Sequence, residues 1–553
     1  MPISPTYPGV YIDELPSAVR TITGVPTSIA AFVGTAPRGA VDRPVHITSW
    51  ADYEREFGGL DKTSEMSYAV YQFYLNGGSE AEIVRIVPAK PDPVPAPGAG
   101  VPAPTYPETA TLELYVDGTN KVVLTAVSPG EWGNKLRARV DYHTADPTDT
   151  TLYNLTLRDT QSGVTESYLN VSTAAGSPEK LATVLASSGL VTKDVQGGDQ
   201  RPHDHPLPSP PGPEKPEPLP VGQDPFETGP KREGDWYTTA SHGSDGNQLP
   251  VHSDYLGGDN GQLDKTGLYQ LLKTDIFNML CLPGRPGQQT DNTDNIIVEA
   301  ANLCDKRRAM LIVDPPSSWQ TVSNAADAAA LPVAGDLAKN AAVYFPQIRL
   351  SDPKQNNIVR SFPPCGVVAG IWARTDVQRG VWKAPAGTDA SLNGVNELFI
   401  KMTDVENGRL NPRGINCIRQ FPVYGPVLWG ARTCKGADVM ADQWKYVPVR
   451  RLALFVEESL FRGTQWVVFE PNDEPLWSSI RLNVGAFMNT LFRQGAFQGR
   501  TPQEAYLVKC DSTNNPQNDI DRGIVNILVG FAPLKPAEFV IIHIQQLAGQ
   551  IQV

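Results

Sequence analysis

The sequence has few cysteines, and none of them forms a Cys-x-x-Cys pair. The six are scattered over the second half of the chain, at Cys281, Cys304, Cys365, Cys417, Cys434 and Cys510. This spacing indicates neither a disulfide framework nor a zinc site. We therefore expect reduced thiols in a protein that is made in a cytoplasm.

Long apolar runs are also missing. No stretch approaches the roughly 20 apolar residues that cross a bilayer. The opening residues 1–5 (MPISP) have neither the basic region nor the apolar region of a signal peptide. We therefore expect no export signal and no membrane insertion.

Positive charge is in deficit. Lys and Arg number 47 against 60 Asp and Glu, which gives a formal net charge of −13. A nucleic-acid-binding protein would need a basic stripe, so we expect no nucleic-acid partner. The length of 553 residues, of which 40% are hydrophobic, exceeds what one compact core accommodates and predicts several domains.

The motifs of common enzyme classes are absent: there is no phosphate-binding loop, no dinucleotide fingerprint, no His-Glu-x-x-His and no nucleophile elbow. His203 and His205 could bind a metal, but they lie in a proline-rich stretch, which favours a solvated loop. Asp314 follows a predicted strand and could act as an acid or a Mg²⁺ ligand. An Asp before Pro-Pro is more typical of a turn. We predict no catalytic residues, no metal and no cofactor.

Proline is abundant, with 50 residues, and its clusters mark domain boundaries. Residues 88–107 predict a semi-rigid linker, and residues 201–264 predict a proline-rich exposed loop. Between them, two alternating segments that flank Asp117-Gly118 predict a hairpin. Residues 108–200 therefore predict an inserted β-rich domain.

Residues 21–87 and 265–435 share an α/β pattern. A short buried strand at 29–33 precedes two helices, which we expect to begin after Ser49 and Ser64 because serine is a favoured N-cap. Further buried strands follow after residue 265. The simplest topology is a single α/β core that the β-rich domain interrupts.

Both termini of the chain are predicted to exchange strands with neighbouring subunits. Residues 1–20 predict an extended arm, and residues 436–553 predict a C-terminal domain of two helices followed by strands at 505–510, 524–531 and 539–545. So few strands leave open sheet edges. An arm without a sheet and a sheet without enough strands predict exchange between subunits, and a head-to-tail exchange builds a helical polymer.

Several motifs resemble those of contractile tail sheath proteins of bacteriophages and of phage-tail-like extracellular contractile injection systems. The motifs run in family order from residue 7 to about residue 543. They are residues 7–14 (YPGVYIDE), 24–34 (GVPTSIAAFVG), 128–134 (SPGEWGN), 363–376 (PPCGVVAGIWARTD), 380–386 (GVWKAPA), 429–433 (WGART), 469–472 (FEPN) and 532–540 (APLKPAEFV). The proline-rich loop at 201–230 departs from the family pattern.

The resemblance implies a structural subunit and not an enzyme. Sheath subunits stack as rings around an inner tube, and on a trigger at a baseplate the rings shorten and drive the tube through a target envelope. It implies a helical homo-oligomer of hexameric rings, with tube, baseplate and terminator or cap proteins as partners. It also implies assembly in a bacterial cytoplasm as part of a phage tail or an injection particle.

The predicted fold class combines α/β and α+β domains. It comprises an α/β core, an inserted β-rich outer domain, and a C-terminal helix-plus-sheet inner domain with extended terminal arms. Three contact regions follow from the resemblance. The inter-subunit arm consists of Tyr7, Pro8, Gly9, Val10, Tyr11 and Ile12. The shared sheet consists of Phe539, Val540, Ile541, Ile542 and His543. The tube contact lies on a helical hairpin at 450–495 and consists of Ser479, Arg481, Asn489 and Arg493.

Two alternatives stay open. One is an α/β enzyme with an unrecognised active site, which would need convergent polar residues at strand ends. The other is a non-contractile self-assembling surface protein, which would need an export signal. The sequence does not specify whether the particle is a phage tail or an injection particle, nor its target cell, cargo, trigger and helical parameters.

Overall fold

The computed structural model describes residues 20–90, 105–117, 120–203, 239–285, 295–328 and 330–543. The predicted arm residues 7–12 lie outside these ranges, as do His205 and most of the two proline-rich stretches.

The N-terminal part of the chain forms strands and helices with the predicted caps. Its elements are β1 (Ala30–Gly34), β2 (Val45–Ile47), α1 (Trp50–Phe57), α2 (Glu65–Leu75) and β3 (Ala81–Arg85). The hydroxyl of Ser49 accepts the N–H of Asp52, and the hydroxyl of Ser64 accepts that of Ser67. Both helix starts are therefore confirmed, and the strand predicted at 29–33 is β1.

The next segment builds two three-stranded antiparallel sheets. Its elements are β4 (Thr111–Tyr115), β5 (Lys121–Thr125), β6 (Leu136–Asp141), β7 (Leu152–Asp159), β8 (Thr165–Ser172), α3 (Leu181–Val184) and β9 (Thr239–Ser241). The strand orders are β5-β4-β9 and β6-β7-β8. The predicted hairpin is confirmed by the pairing of β4 with β5. Alternating side chains such as Leu112, Leu124, Val140 and Leu155 fill one shared core.

The third segment contributes the remaining strands of the main sheet. Its elements are α4 (His252–Leu256), α5 (Gly261–Asp264), β10 (Met279–Cys281), α6 (Asn295–Arg307), β11 (Met310–Val313), α7 (Val322–Ala326), β12 (Ala341–Phe345), β13 (Ile348–Asp352), β14 (Ile358–Phe362), α8 (Cys365–Arg379), β15 (Glu397–Leu398), α9 (Asp404–Leu410), β16 (Ile415–Phe421) and β17 (Gly425–Leu428). The main sheet has eight strands in the order β17-β16-β12-β11-β10-β1-β3-β2. Its six inner strands are parallel, and β17 and β2 add to its edges in antiparallel orientation.

Both faces of the main sheet are covered, which explains the continuous apolar strands of this segment. Helices α2 and α8 pack on one face, and α6 and α7 pack on the other. A Cβ atom at Gly366 would lie 2.2 Å from the carbonyl oxygen of Ala69, and one at Gly370 would lie 2.6 Å from that of Phe73. These two glycines of α8 therefore let its backbone lie directly against α2.

The C-terminal part contains a long helical hairpin and a small sheet. Its elements are α10 (Val447–Gly463), α11 (Glu474–Arg493), α12 (Pro502–Ala505), β18 (Tyr506–Lys509), α13 (Gln517–Asp521) and β19 (Leu528–Phe531). The predicted hairpin is confirmed, and its apolar stripe, including Leu452, Ile480, Val484 and Leu491, is buried. Among the described residues, 539–543 pair with no strand of the single chain, and the strand predicted at 539–545 for a sheet shared between subunits stays a prediction.

Candidate assembly surfaces

The sheet of β18 and β19 is open at both edges. The two strands pair only with each other within the described ranges, and each has four residues. Val508 and Val529 pack against the hairpin core, whereas Leu507 and Leu528 are more than half exposed. A two-stranded sheet is marginal alone, and its unpaired edges offer backbone N–H and C=O groups to an added strand.

Beyond this sheet the chain exposes a run of apolar side chains. Phe539, Val540, Ile541 and Ile542 are 73%, 81%, 77% and 78% exposed, and His543 is exposed as well. A contiguous apolar surface of this kind marks a contact with another protein. The predicted shared-sheet residues are thus accessible to another chain, and the shared sheet itself stays a prediction.

The predicted tube-contact residues do not share one face of α11. Arg493 is exposed, whereas Ser479 and Asn489 are half-buried. Arg481 turns back onto its own unit, where it donates to the carbonyl of Cys510 and to the Glu474 carboxylate. The bond to Glu474 raises the pKa of Arg481.

The exposed residues of α11 instead recur every three or four positions along the helix. It comprises Ser478, Leu482, Ala486, Thr490 and Arg493. Of the predicted residues, Arg493 is therefore the one best placed to reach another molecule. The tube contact remains a prediction.

Asp314 occupies the carboxyl edge of the main sheet, where an α/β enzyme would place its site. It is buried, and its Oδ1 accepts the N–H of Cys365 at 2.9 Å, so that it caps the start of α8. Burial raises its pKa to about 6. Burial, together with the negative charge of Asp314, raises the pKa of Glu65 to about 7. The arrangement gives Asp314 a structural role as a helix cap.

The described residues offer neither a metal-binding cluster nor a membrane-crossing helix. Within the described ranges, no group of three or more His, Cys, Asp or Glu side chains is placed to hold a metal ion. Over the same residues, no helix combines the length and the apolar character that crossing a membrane requires.

Two ion pairs that were not predicted from the sequence join parts of the fold that are distant in sequence. Arg451 of α10 bonds both carboxylate oxygens of Asp376 in α8, at 2.7 and 2.6 Å, with both side chains almost fully buried. A second pair joins Arg432 to Glu538. Arg432 in the motif at 429–433 and Arg451 among apolar residues at 449–452 (VRRL) are the signal that could have indicated these pairs, because a buried arginine needs a partner.

Two domain families match adjacent parts of the chain. The phage tail sheath protein central domain matches residues 261–434, and the phage tail sheath C-terminal domain matches residues 440–546. Together they span about half of the chain.

The chain belongs to the phage tail sheath family.

Named relatives agree with this assignment. The tail sheath protein of Vibrio phage KVP40 is 29% identical over 191 residues, which are 34% of this chain and 27% of that protein. A putative prophage major tail sheath protein of Pseudomonas aeruginosa is 26% identical over 296 residues, which are 52% of this chain and 70% of that protein. The tail sheath protein of Enterobacteria phage T4 is 29% identical over 170 residues, 31% of this chain and 24% of that protein. The match therefore spans about a quarter of the KVP40 and T4 proteins.

Solved sheath structures share the fold along nearly the whole chain. The sheath complex of an extracellular contractile injection system, PVC, in its contracted state has a TM-score of 0.55 at 21% identity and covers 99% of both chains. The sheath tail protein from Listeria innocua has a TM-score of 0.56 at 12% identity and covers 93% of this chain and 96% of that chain.

Proposed function

We propose that this chain is the subunit of a contractile sheath. It polymerises as stacked hexameric rings around an inner tube and shortens to drive the tube through a target envelope. The proposal rests on one observation about this member of the phage tail sheath family. The same chain has a β18–β19 sheet with open edges and an exposed apolar segment, residues 539–542, that pairs with none of the described strands. The matched PVC structure is a sheath in its contracted state, which supports a contractile role.

The proposed domains follow from this role. The α/β core of 21–87 and 265–435 forms the body of each ring, and residues 436–553 form the inner domain. The β-rich domain at 108–200 and the loop at 201–264, joined by the linker at 88–107, face outward. In this arrangement the proline-rich tethers keep the outer domain clear of the contacts between rings.

Contraction requires subunits to change neighbours without losing their connection. Strand exchange through the terminal arms would provide this, because main-chain hydrogen bonds can persist while the bodies rotate. The stored energy lies in an extended packing that is less stable than the contracted one. The proposed partners are the inner tube, baseplate proteins and a terminator or cap protein, and no nucleotide is consumed.

The arm prediction can be tested by deletion. Removing residues 1–18 is expected to leave a folded, monodisperse monomer that forms no sheaths, because the open edges of β18 and β19 lose their donor strand. Circular dichroism and sedimentation would report the fold and the mass, and electron microscopy the polymer. Normal-length sheaths from this deletion would contradict the strand-exchange interpretation.

The function as a whole is tested by negative-stain microscopy of the expressed gene cluster. We expect striated sheaths that enclose a tube, in extended and contracted forms. Particles without a tube and without a second, shorter state would contradict the proposal. The neighbouring genes decide between the two particle types, since capsid and terminase genes indicate a phage, and an ATPase with toxin genes indicates an injection particle.

A further inference from the structure

Arg432 is a fully buried arginine at the end of the segment that follows β17. Its side chain is 0% exposed. Its Nη1 donates to the carbonyl oxygens of Asn411 and Gly436, at 2.9 and 3.2 Å, and to Oδ1 of Asp438 at 2.9 Å. Its position is also fixed by its backbone, which exchanges hydrogen bonds with the side chain of Asn416. The guanidinium is therefore held in one orientation.

The remaining face of this guanidinium binds a residue from the far end of the chain. Nε donates to Oε1 of Glu538 at 2.8 Å, and Nη2 donates to Oε2 of the same carboxylate. The Tyr446 hydroxyl donates to Oε2 as well, at 3.2 Å. Burial lowers the pKa of Arg432, but the Glu538 and Asp438 carboxylates outweigh it, so the pKa is raised overall. The two-point geometry is the strong form of an arginine–carboxylate pair.

This pair keeps the C-terminal segment from leaving the core at Glu538. If the segment lifted away, Arg432 would keep Asp438, but its Nε and Nη2 would lose their acceptors, and leaving the donors of a buried charge unpaired is unfavourable. Immediately after Glu538 the character of the chain changes. Glu538 is largely covered, with its side chain 16% exposed, whereas each side chain from Phe539 to Ile542 is at least 73% exposed.

The exposed residues leave their own sheet unused. Residues 532–538 lead from the end of β19 to Arg432. The apolar residues follow the anchor at once, and among the described residues no strand, β18 and β19 included, pairs with them in the single chain. A second copy of the chain offers the same open sheet edges to them.

We propose that the Arg432–Glu538 pair fixes the root of the C-terminal arm on its own subunit, and thereby delivers residues 539–543 as an added strand to a second copy of this chain. This inference rests on the proposed sheath function. Glu538 is then a positioning residue: it contacts no neighbouring subunit, and it acts through the strand that follows it.

The test is a pairwise comparison of variants in the full chain. Glu538→Ala removes the anchor, deletion of residues 539–553 removes the strand, and a third variant combines both. Lys535→Gln is the matched control, since Lys535 is an exposed residue of the same segment. Glu538→Gln keeps one oxygen acceptor for Arg432 and should therefore retain part of the assembly. It replaces Glu538→Ala in the comparison if that variant does not fold.

Glu538→Ala is expected to raise the critical concentration for sheath assembly about tenfold or more, which corresponds to a decade in contact affinity. Lys535→Gln should leave it unchanged. The combined variant should match the deletion alone in assembly, because the anchor has nothing left to deliver, whereas its thermal midpoint should fall as in Glu538→Ala, because Arg432 loses the same carboxylate in both. Wild-type assembly by Glu538→Ala, or a further loss of assembly when it is added to the deletion, would overturn the inference. Failure of the wild-type chain to form sheaths would instead refute the proposed function.

Discussion

At the residue scale, Asp314 combines deep burial with a capping role. A carboxylate with a folded pKa of about 6 binds its proton more tightly in the folded chain than in the unfolded chain, where the value is 3.8. The stabilising contribution of this proton is therefore present at low pH and is lost as the pH rises through 6. The ionised group costs roughly 3 kcal/mol, because each unit of pKa corresponds to about 1.4 kcal/mol.

Asp314→Asn should reduce this pH dependence. The wild-type monomer is expected to lose thermal stability between about pH 4 and pH 6, the interval between the unfolded and folded pKa values of Asp314, and the variant to lose less. The amide of the variant keeps an oxygen for the N–H of Cys365 without a charge to desolvate. Thermal midpoints of both proteins across this range provide the measurement. Asp259→Asn, at an exposed position, is the control. Parallel curves for the wild type and Asp314→Asn would contradict the assignment.

Residue-level features differ in how far the sequence reveals them. The caps Ser49 and Ser64 were predictable, because a cap and its helix are adjacent in the chain. The cap that Asp314 provides for α8 was not, since its acceptor belongs to a strand 51 positions away. The Arg432–Glu538 pair spans 106 positions, and no local pattern encodes such a contact.

At the element scale, periodicity identified the core side of α11 but not the use of its other sides. The hairpin predicted at 450–495 is confirmed, and the helical spacing of Leu476, Ile480, Val484, Phe487 and Leu491 accounts for the buried stripe of α11. The remaining positions divide between a side that packs toward β18 and a side that faces solvent, and this division depends on strands that follow the helix. The small sheet of β13, β14 and β15 was missed for a related reason, because the alternation of β14 is weak and its first residues are exposed.

The two arginines of α11 should therefore behave differently. Arg493→Glu is expected to loosen the extended sheath and to favour empty, contracted particles, because weak charged contacts of about 0.2–1 kcal/mol are summed over many rings. Arg481→Glu should act within the monomer by placing a second acid beside Glu474 and lowering the thermal midpoint. Counting extended particles after salt and low-pH challenge separates the two effects.

Arg500→Glu is the control for this pair, since Arg500 is exposed and lies outside α11. An unchanged extended fraction for Arg493→Glu would reject Arg493 as part of the grip on the tube. A normal thermal midpoint for Arg481→Glu would show that its bonds to Glu474 and Cys510 contribute little.

At the scale of the whole molecule, the arrangement of the sheets indicates which segments can be altered without disturbing the main sheet. The main sheet takes its strands from Ala30–Arg85 and Met279–Leu428, on either side of the two smaller sheets at Thr111–Ser241. The run of buried apolar strands made this arrangement predictable, because strands covered on both faces lack polar alternation. The proposed strand exchange between copies involves contacts that lie outside any single chain.

The proline-rich loop is expected to be dispensable. Deleting residues 206–228 keeps the contact in which the N–H of His203 donates to the carbonyl of Tyr115, so the local strands stay intact. Sheath length and contraction should match the wild type, because the outer domain lies away from ring contacts in the proposed arrangement. Microscopy before and after a contraction trigger measures both. Loss of assembly would identify the loop as an interface instead.

In the proposed contractile sheath, the buried cysteines have a practical consequence. All six are buried and unpaired, and burial raises the pKa of Cys417 and Cys434 to about 12. Oxidants outside a cell therefore find no accessible thiol through which neighbouring rings could be covalently locked. The same property allows site-specific fluorescent labelling without removal of the native cysteines. A cysteine introduced at Ser478 would be the only fast-reacting thiol of the subunit, and a dye attached to it would report the motion of the rings in real time.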